Sequence, residues 1–256
     1  MKYSNTVLLY TGGTRTHMVQ TNLAQRIDAI QNTAEVIAQS LKEMIYAAEL
    51  KPGQPLIQER IAELFQVSRV PVRDALQLLI GMGIAVNVPR RGVIVRPLSR
   101  KLLAELFEVR KVLEGAAMRM AVRNARSDYL RRLEGLIAQQ AECLKAGDVK
   151  RYAKLDDDFH RALYDAVGNG RLVELIFANW ELIKQARSAS TVVPEHGRAW
   201  VANSIKRHKR VLAALKKGGE EAACAAVFEN IDSSEREIVS RLREVGWIEA
   251  ARPQEV

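Results

Sequence analysis

The sequence predicts a mainly α-helical protein whose sheet is a short two-stranded hairpin. Residues 58–95 have the pattern of two short helices followed by two β-branched runs. From about residue 99 to residue 245, nearly every segment repeats its apolar residues with a helical period. We therefore expect an N-terminal winged helix-turn-helix with a two-stranded β wing, and then a C-terminal antiparallel bundle of about six or seven helices.

The clearest element is a helix that follows Ser68. Ser68 is a favourable N-cap, and Pro71 falls in the first turn, where its missing N–H costs little. An apolar stripe then repeats at helical spacing. The stripe consists of Val72, Ala75, Leu76 and Leu79. Arg69, Arg73 and Gln77 recur every four residues on another face. An arginine-rich face opposite a buried stripe predicts a helix that reads the DNA major groove.

A second short helix is predicted directly upstream, over residues 58–65. A tight turn at Gln66 and Val67 separates it from the helix that follows Ser68. This is helix-turn-helix spacing, in which the second helix contacts bases and the first crosses the DNA backbone. The segment therefore predicts binding to double-stranded DNA.

The chain then continues into a predicted β-hairpin wing. The runs 84–88 and 93–95 are rich in β-branched residues, and residues 89–92 supply the turn between them. Arg90 and Arg91 lie in that turn. The tip of the wing is therefore expected to carry two positive charges.

The composition favours an anionic partner. The chain of 256 residues has a net charge of +9 and a pI near 9.7. Residues 69–101 alone hold seven basic residues against one acidic residue, a local net charge of +6. This balance suits a phosphate backbone. An ordinary solvated basic face is the alternative.

Six helices are predicted in the rest of the chain. Their approximate positions are 99–124, 127–146, 148–168, 170–188, 198–217 and 220–245. The break before the fifth runs from Val193 to Gly197. The expected organisation is a flexible extension over 1–20, a winged helix-turn-helix domain over 21–97, an all-helical domain over 98–247 and a tail over 248–256.

Cysteine usage and hydropathy indicate a cytoplasmic protein. Cys143 and Cys224 lie far apart in helical sequence, without the spacing of a metal site or a disulfide framework. No apolar run approaches the roughly 20 residues of a membrane span, so we expect no membrane partner. The apolar stretch 7–10 is too short for a signal peptide. Translation from Met18 instead of Met1 stays open.

Several polar residues of the helical part fall on apolar stripes, where they need partners. Asp156 and His160 are one helical turn apart, so both side chains can reach one point. His208, Asn230 and Arg110 each interrupt the apolar stripe of their own helix. Helices that supply such side chains to one interior can build a metal site, and Arg110 would offer a fork to a carboxylate.

Each of these residues also has a simpler interpretation. His208 can be a satisfied core histidine, and the run 156–158 can be a solvated acidic face. Arg110 can pair with Glu114, one turn along its own helix. Taken singly these alternatives are favoured, whereas the set as a whole favours a ligand site.

The N-terminal part resembles the winged-helix domain of GntR-type bacterial transcription regulators. The resemblance is carried by LKPGQPL over residues 50–56 and AELFQVSRVPVRDAL over residues 62–76, and it covers roughly residues 33–97. It implies that this segment reads DNA. The positions that match the usual contacts of the family are Ser68, Arg69, Arg73 and Gly92.

The chain departs from that family at several positions. Gln58 stands where glutamate is usual, and Val70 replaces the commoner threonine, which predicts an altered base preference. Glu59 stands where some members carry a DNA-contacting arginine, so that role is not transferred. The neighbouring Arg60 is a phosphate-contact candidate instead. The residues predicted from position alone complete the DNA-binding set: Gln77, Arg90 and Arg91.

The C-terminal part resembles the FCD effector domain of the FadR-type branch of the same family. Residues 107–114 and 155–163 carry the resemblance, which implies a divalent metal such as zinc, nickel or manganese held by one aspartate and three histidines. Three positions match, namely Asp156, His160 and His208. Asn230 stands at the fourth, where histidine is usual, and its amide oxygen is a weaker ligand for zinc or nickel. Three alternatives stay open: a weakly bound metal, a harder ion, or no metal and an effector that is hydrogen-bonded directly.

The same resemblance implies a small organic or sugar acid as effector, with Arg110 and Asn169 as contact candidates. It also implies a homodimer on a pseudo-palindromic operator. We expect a transcription regulator, most simply a repressor, and no enzymatic activity.

Two other functions are compatible with parts of the sequence. A metal-dependent enzyme built on the bundle would need a base or nucleophile, and the sequence has no HExxH motif or glycine-rich phosphate loop. A ligand-independent architectural DNA-binding protein would leave the inward polar residues unexplained.

Overall fold

The computed structural model describes residues 33–190 and 194–248. The flexible extension predicted over 1–20, and all but the first residue of the tail predicted over 248–256, lie outside the described residues. No helix within the described ranges is both long enough and apolar enough to cross a membrane.

Three helices open the described chain. They are α1 over residues 33–46, α2 (Gln58–Phe65) and α3 (Arg69–Gly81). The helix α1 is an element that the sequence patterns above do not predict. Its buried residues Ile37, Leu41 and Ile45 share a core with Leu76 and Leu79 of α3. The stripe predicted for α3 is therefore buried, which leaves the opposite face to solvent.

The helices α2 and α3 are joined by the tight turn predicted at Gln66 and Val67. Gln66 adopts a left-handed φ of 54°, and the amide of Val67 donates to the carbonyl of Ala62 at 3.0 Å, which ends α2. Ser68 occupies the N-cap position of α3, but its side chain makes no capping hydrogen bond. The third helical position, a usual donor to an N-cap, is held by Pro71, which has no N–H.

The predicted wing is present as an antiparallel hairpin. Its strands are β1 (Ala85–Val88) and β2 (Gly92–Val95). Arg90 in the connection and Gly92, the first residue of β2, adopt left-handed φ values of 64° and 74°. Glycine tolerates such a value at position 92 without steric cost. The chain before α2 also pairs with this hairpin, since the amide of Leu56 donates to the carbonyl of Val93 at 2.8 Å.

Six further helices follow in the described residues. They are α4 (Arg100–Asn124), α5 (Ser127–Ala146), α6 (Val149–Asp165), α7 (Gly170–Ser190), α8 (Pro194–Lys217) and α9 (Glu220–Glu244). The mainly helical fold with its two-stranded wing is thereby confirmed. The break predicted from Val193 to Gly197 is wrong over most of its length, because α8 begins at Pro194 and includes Gly197. Proline fits the first helical turn, where its missing N–H needs no partner.

The six helices pack around one core. The helix α4 contacts α9 and α7, α5 contacts α6 and α8, and α8 contacts α9. Large side chains fill the interior, among them Leu103, Phe107, Met118, Phe159 and Tyr164. Cys143 and Cys224 are buried free thiols. The inner faces of α4, α6, α7, α8 and α9 surround a small central cavity.

The helix α7 also contacts the N-terminal part of the chain. Glu181 Oε2 accepts a hydrogen bond from Tyr46 Oη at 2.6 Å and lies 2.5 Å from Lys42 Nζ. The side-chain amide of Gln185 donates to the carbonyl of Arg96 at 3.0 Å. One helix therefore lines the cavity and holds the DNA-binding part.

Close packing of α4 against α9 generates a stability prediction. A Cβ at Gly115 would lie 2.8 Å from the ring of Phe228, and that ring packs against the core. We predict that Gly115→Ala lowers the free energy of unfolding by about 1–3 kcal/mol, the usual cost of overpacking.

The matched control is Gly135→Ala on α5, where a Cβ meets nothing within 4 Å. Alanine should stabilise that helix by about 0.5–1 kcal/mol. Urea denaturation measures both variants. Equal stabilities would contradict the packing described for Gly115.

Candidate functional site

The face predicted to read DNA is exposed on α3. Its residues Ser68, Arg69, Val70, Arg73 and Gln77 all lie at exposed positions. Val70 is 50% exposed, although its side chain is apolar. A surface helix that presents arginines and one uncovered valine suits contact with base edges and thymine methyl groups.

The remaining predicted DNA contacts are exposed as well. Arg90, Arg91 and Gly92 lie at the tip of the wing, and Arg60 lies on α2. The helix α3 packs against both α2 and β1. The predicted contacts therefore lie on three neighbouring elements, as one DNA-binding surface requires.

Both arginines of α3 have a carboxylate partner. Arg69 Nη2 is 2.8 Å from Glu59 Oε1 on α2. The Nε and Nη2 atoms of Arg73 are each 3.3 Å from Asp74 Oδ1. Sequence reasoning assigned Glu59 no role, because only the fold brings its carboxylate to Arg69.

A second site lies inside the bundle. Asp156 and His160 of α6 and His208 of α8 each offer a ligand atom, and these atoms lie within 4.8 Å of one another. All three side chains are buried. The structure thus brings together three of the residues that the sequence placed on inward stripes.

The ring of His208 is oriented by Gln140. The side-chain amide of Gln140 donates to the carbonyl of Leu155 at 3.0 Å, so its oxygen faces His208 Nδ1, 2.9 Å away. Nδ1 therefore carries the proton, and Nε2 keeps its lone pair 3.6 Å from Asp156 Oδ1. Burial lowers the pKa of His208 to about 4, despite the opposing charge of Asp156. The imidazole is neutral at pH 7, which is the form that binds metals.

His160 is a second neutral imidazole with spare hydrogen-bonding capacity. Burial lowers the pKa of His160 well below its ordinary value. Its Nδ1 atom is buried and has no hydrogen-bond partner within the described part of the chain. The ring packs against Trp180 at a centroid distance of 4.2 Å. An unpaired buried nitrogen next to a carboxylate fits a metal-binding role.

Asp156 supplies the negative charge of this cluster. Burial, the largest single effect, raises the pKa of Asp156, but the Arg187 guanidinium, the two histidines and the hydrogen bond from Tyr152 together lower it below its ordinary range. Arg187 of α7 forms an ion pair with Asp156 Oδ2, and Tyr152 Oη donates to Oδ1 at 2.8 Å. One carboxylate and two neutral imidazoles are a donor set that suits zinc, nickel or manganese.

Asn230 lines the same cavity. Its amide oxygen accepts a hydrogen bond from Arg207 Nε at 3.0 Å. One lone pair of that oxygen is therefore already in use, and the role of Asn230 as a fourth ligand stays a prediction.

Arg110 lines the cavity but is neutralised by its own helix. Its Nε atom is 2.5 Å from Glu114 Oε1, which is the pairing that the simpler interpretation describes. Tyr164 Oη and Trp180 Nε1 also donate to Glu114, at 2.5 and 2.8 Å. Arg110 is thus part of a buried hydrogen-bond network centred on Glu114 at the cavity wall.

Two cations that line the cavity are not predicted from the sequence. Lys184 and Arg187 of α7 both line the cavity, and Lys184 Nζ is 2.7 Å from Asp157 Oδ2. Trp180, Ile183 and Arg187 share one helix face. Arg187 therefore lies on an apolar stripe, which is the same sequence pattern that identified Arg110 as a candidate.

Asn169 is not among the residues that line the cavity. It is exposed, and its Oδ1 atom accepts from the amide of Leu172 at 3.1 Å. It thus caps the start of α7. The effector contact that the resemblance implied for Asn169 gains no support from this position.

The cavity is small. Its free volume is about 20 Å³, which accommodates a water molecule or an ion. An organic acid needs more room than this. Any such ligand therefore requires the lining side chains to move.

Comparison with known proteins fits this geometry. The chain matches the family "Bacterial regulatory proteins, gntR family" over residues 33–95 and the FCD domain over residues 105–233. The HTH-type transcriptional regulator LutR of Bacillus subtilis (strain 168) is 31% identical over 209 residues, covering 75% of this chain and 94% of its own length. The probable D-xylose utilization operon transcriptional repressor of Paenarthrobacter nicotinovorans is 26% identical, covering 78% and 87%.

A solved structure shows the same fold. Escherichia coli McbR/YncC superposes with a TM-score of 0.66 at 24% identity, over 84% of this chain and 99% of its own. A winged helix-turn-helix followed by an effector-binding bundle defines a DNA-binding transcription regulator. The chain belongs to the GntR family and carries an FCD domain. The enzyme alternative is set aside, because the matching domains and relatives are regulators.

The exposed face of α3 generates a prediction for DNA binding. We predict that Arg73→Ala weakens binding to a duplex selected by the wild-type protein by about 1–3 kcal/mol, which is the worth of one bidentate base contact. Fluorescence anisotropy measures the affinity. The control is Arg131→Ala, which removes the same charge from an exposed position on α5. Equal losses in the two variants would argue against α3 as the reading helix.

Proposed function

We propose that this protein is a homodimeric repressor that acts in the cytoplasm. A small carboxylate effector, bound with a divalent metal in the bundle cavity, controls its affinity for an operator. The observation that carries the proposal is the position of α7. Its inner face supplies Arg187 and Lys184 to the cavity, while Glu181 and Gln185 contact the DNA-binding part.

Asp156, His160 and His208 are the proposed metal ligands, with Asn230 as a weaker fourth. The support is chemical, because the cluster offers one carboxylate and two neutral imidazoles at short range. When bound, the metal supplies positive charge to which an effector carboxylate can bind. Gln140 holds the lone pair of His208 towards this point.

The charges around the cavity favour an acid as effector. The cations Arg110, Lys184 and Arg187 line it, and each is paired with a carboxylate of the protein. An incoming carboxylate can take the place of Asp156 beside Arg187 when a metal bound to Asp156 compensates the charge of that buried carboxylate. Since the cavity is small, this exchange has to move side chains of α7.

Movement of α7 would reach the DNA-binding part through Glu181 and Gln185. Effector binding then favours one placement of the winged helix, and it changes DNA affinity by its differential affinity for the two states. Repression is the proposed sign, in line with the repressor named among the relatives.

The dimer is proposed to form through the exposed face of α4. Val112, midway along that helix, is 72% exposed, and Val109 on the same face is 47% exposed. Glu105 and Glu108 precede these valines, and Arg119 follows them, all at exposed positions. An antiparallel crossing of two copies at Val112 would set acidic against basic side chains, as an isologous interface requires.

A substitution at the centre of this face tests the dimer. Val112→Glu would place two carboxylates close together across the two-fold axis, so we predict that self-association weakens by about 100-fold or more. Analytical ultracentrifugation measures it. Val149→Glu at the start of α6 is the control, because that valine is also exposed, at 39%. A dimer that survives Val112→Glu would place the interface elsewhere.

The metal role is tested by titrating chelator-treated protein with Zn²⁺. We predict a metal-dependent rise in melting temperature that is lost in the double variant Asp156→Ala, His208→Ala. Gln140→Leu should weaken zinc binding by about 10- to 100-fold, because the orientation of His208 is lost. Gln139→Leu, at the exposed neighbouring position, should bind zinc as the wild type does. A zinc affinity that none of these substitutions changes would overturn the assignment of the metal ligands.

The effector role is tested by repeating the melts with sugar acids, dicarboxylates and aromatic acids, with and without metal. Stabilisation by one acid class, together with a change in affinity for the selected duplex, is the expected result. Acids that stabilise the protein but leave DNA affinity unchanged would contradict control of the operator by this cavity.

A further inference from the structure

Glu59 places a carboxylate on the surface that reads DNA. Its Oε1 atom lies 2.8 Å from Arg69 Nη2, and the two side chains are 54% and 65% exposed. Arg73 is likewise in contact with Asp74. These four side chains sum to zero charge, although they lie where the recognition helix meets its target.

The positive charge for phosphates lies around this neutral patch. Arg60 on α2 and Arg90 and Arg91 on the wing are exposed, and none of the described ion pairs involves them. Non-specific DNA binding depends on how many phosphates such cations neutralise. A carboxylate inside the contact surface repels phosphates and cancels the charge of the arginine beside it.

The ion pair does not prevent Arg69 from reading a base. A guanidinium carries five N–H donors in a rigid fork, and the contact of Arg69 with Glu59 is made through Nη2 at 2.8 Å. The remaining donors can reach the O6 and N7 atoms of a guanine.

We propose that Glu59 is a specificity-determining residue. It orients Arg69 towards base edges and makes phosphate contact by Arg69 unfavourable, so it weakens binding to random DNA more than binding to the operator. This inference rests on the DNA-binding function of the family and not on the proposed metal or effector. The two can therefore fail separately.

The experiment uses the full chain and two duplexes of equal length. One is selected from a random library by the wild-type protein, and the other has random sequence. Anisotropy titrations over a range of KCl concentrations give both affinities and their salt slopes. Glu59→Gln keeps the size of the side chain and removes its charge. Glu63→Gln, at an exposed position one turn further along α2, changes the net charge equally.

We expect Glu59→Gln to tighten binding to random DNA and to steepen its salt dependence. The ratio of selected to random affinity should fall by roughly tenfold, the size of one bidentate base contact. Glu63→Gln should leave that ratio close to the wild-type value. An equal ratio in the two variants would overturn the proposal, because Glu59 would then act only through net charge.

A second comparison tests the route through Arg69. In an Arg69→Gln background, adding Glu59→Gln should no longer change the affinity ratio, because the partner of the carboxylate is gone. A fall of the ratio that persists in this background would overturn the assignment to Arg69.

Discussion

The ion pair between Asp156 and Arg187 is the interaction on which the bundle cavity depends. A buried carboxylate beside two histidines is stable only when its charge is compensated, and Arg187 supplies the compensating charge from α7. The pair therefore fixes α7 against α6 from the inside. On its other side, α7 holds the DNA-binding part through Glu181 and Gln185. A ligand that replaces the partner of Arg187 therefore acts directly on α7, which contacts both the cavity and the DNA-binding part.

The other charges at the cavity follow the same rule. Glu114 accepts from Arg110, Tyr164 and Trp180, and Lys184 pairs with Asp157. Each cation that lines the cavity is thus paired with a carboxylate of the protein, which explains how the bundle tolerates these charged side chains in its core. In a paired network of this kind an added carboxylate needs an added positive charge, which a bound metal would supply.

Features set by local sequence were predictable, and contacts between distant elements were not. The helical period and the turn residues gave the recognition helix, the wing and nearly all helix bounds of the bundle, because these depend on neighbours in the chain. The start of α8 differs from the prediction because Pro194 opens the helix, whereas the sequence pattern indicates a break there. Asp156 and His160 could be paired from their spacing alone. The contribution of Arg187 depends on how α7 packs against α6, and the contact of Glu59 with Arg69 depends on the turn between α2 and α3.

In the proposed mechanism the cavity and the DNA-binding surface are energetically coupled. Coupling is reciprocal, so DNA must change ligand affinity by the same factor by which ligand changes DNA affinity. The most direct measurement is a calorimetric titration of chelator-treated protein with Zn²⁺ and the stabilising acid, with and without saturating selected duplex. The account predicts affinities that differ by about 5- to 150-fold between the free and the DNA-bound protein. Identical affinities in the two titrations would contradict it.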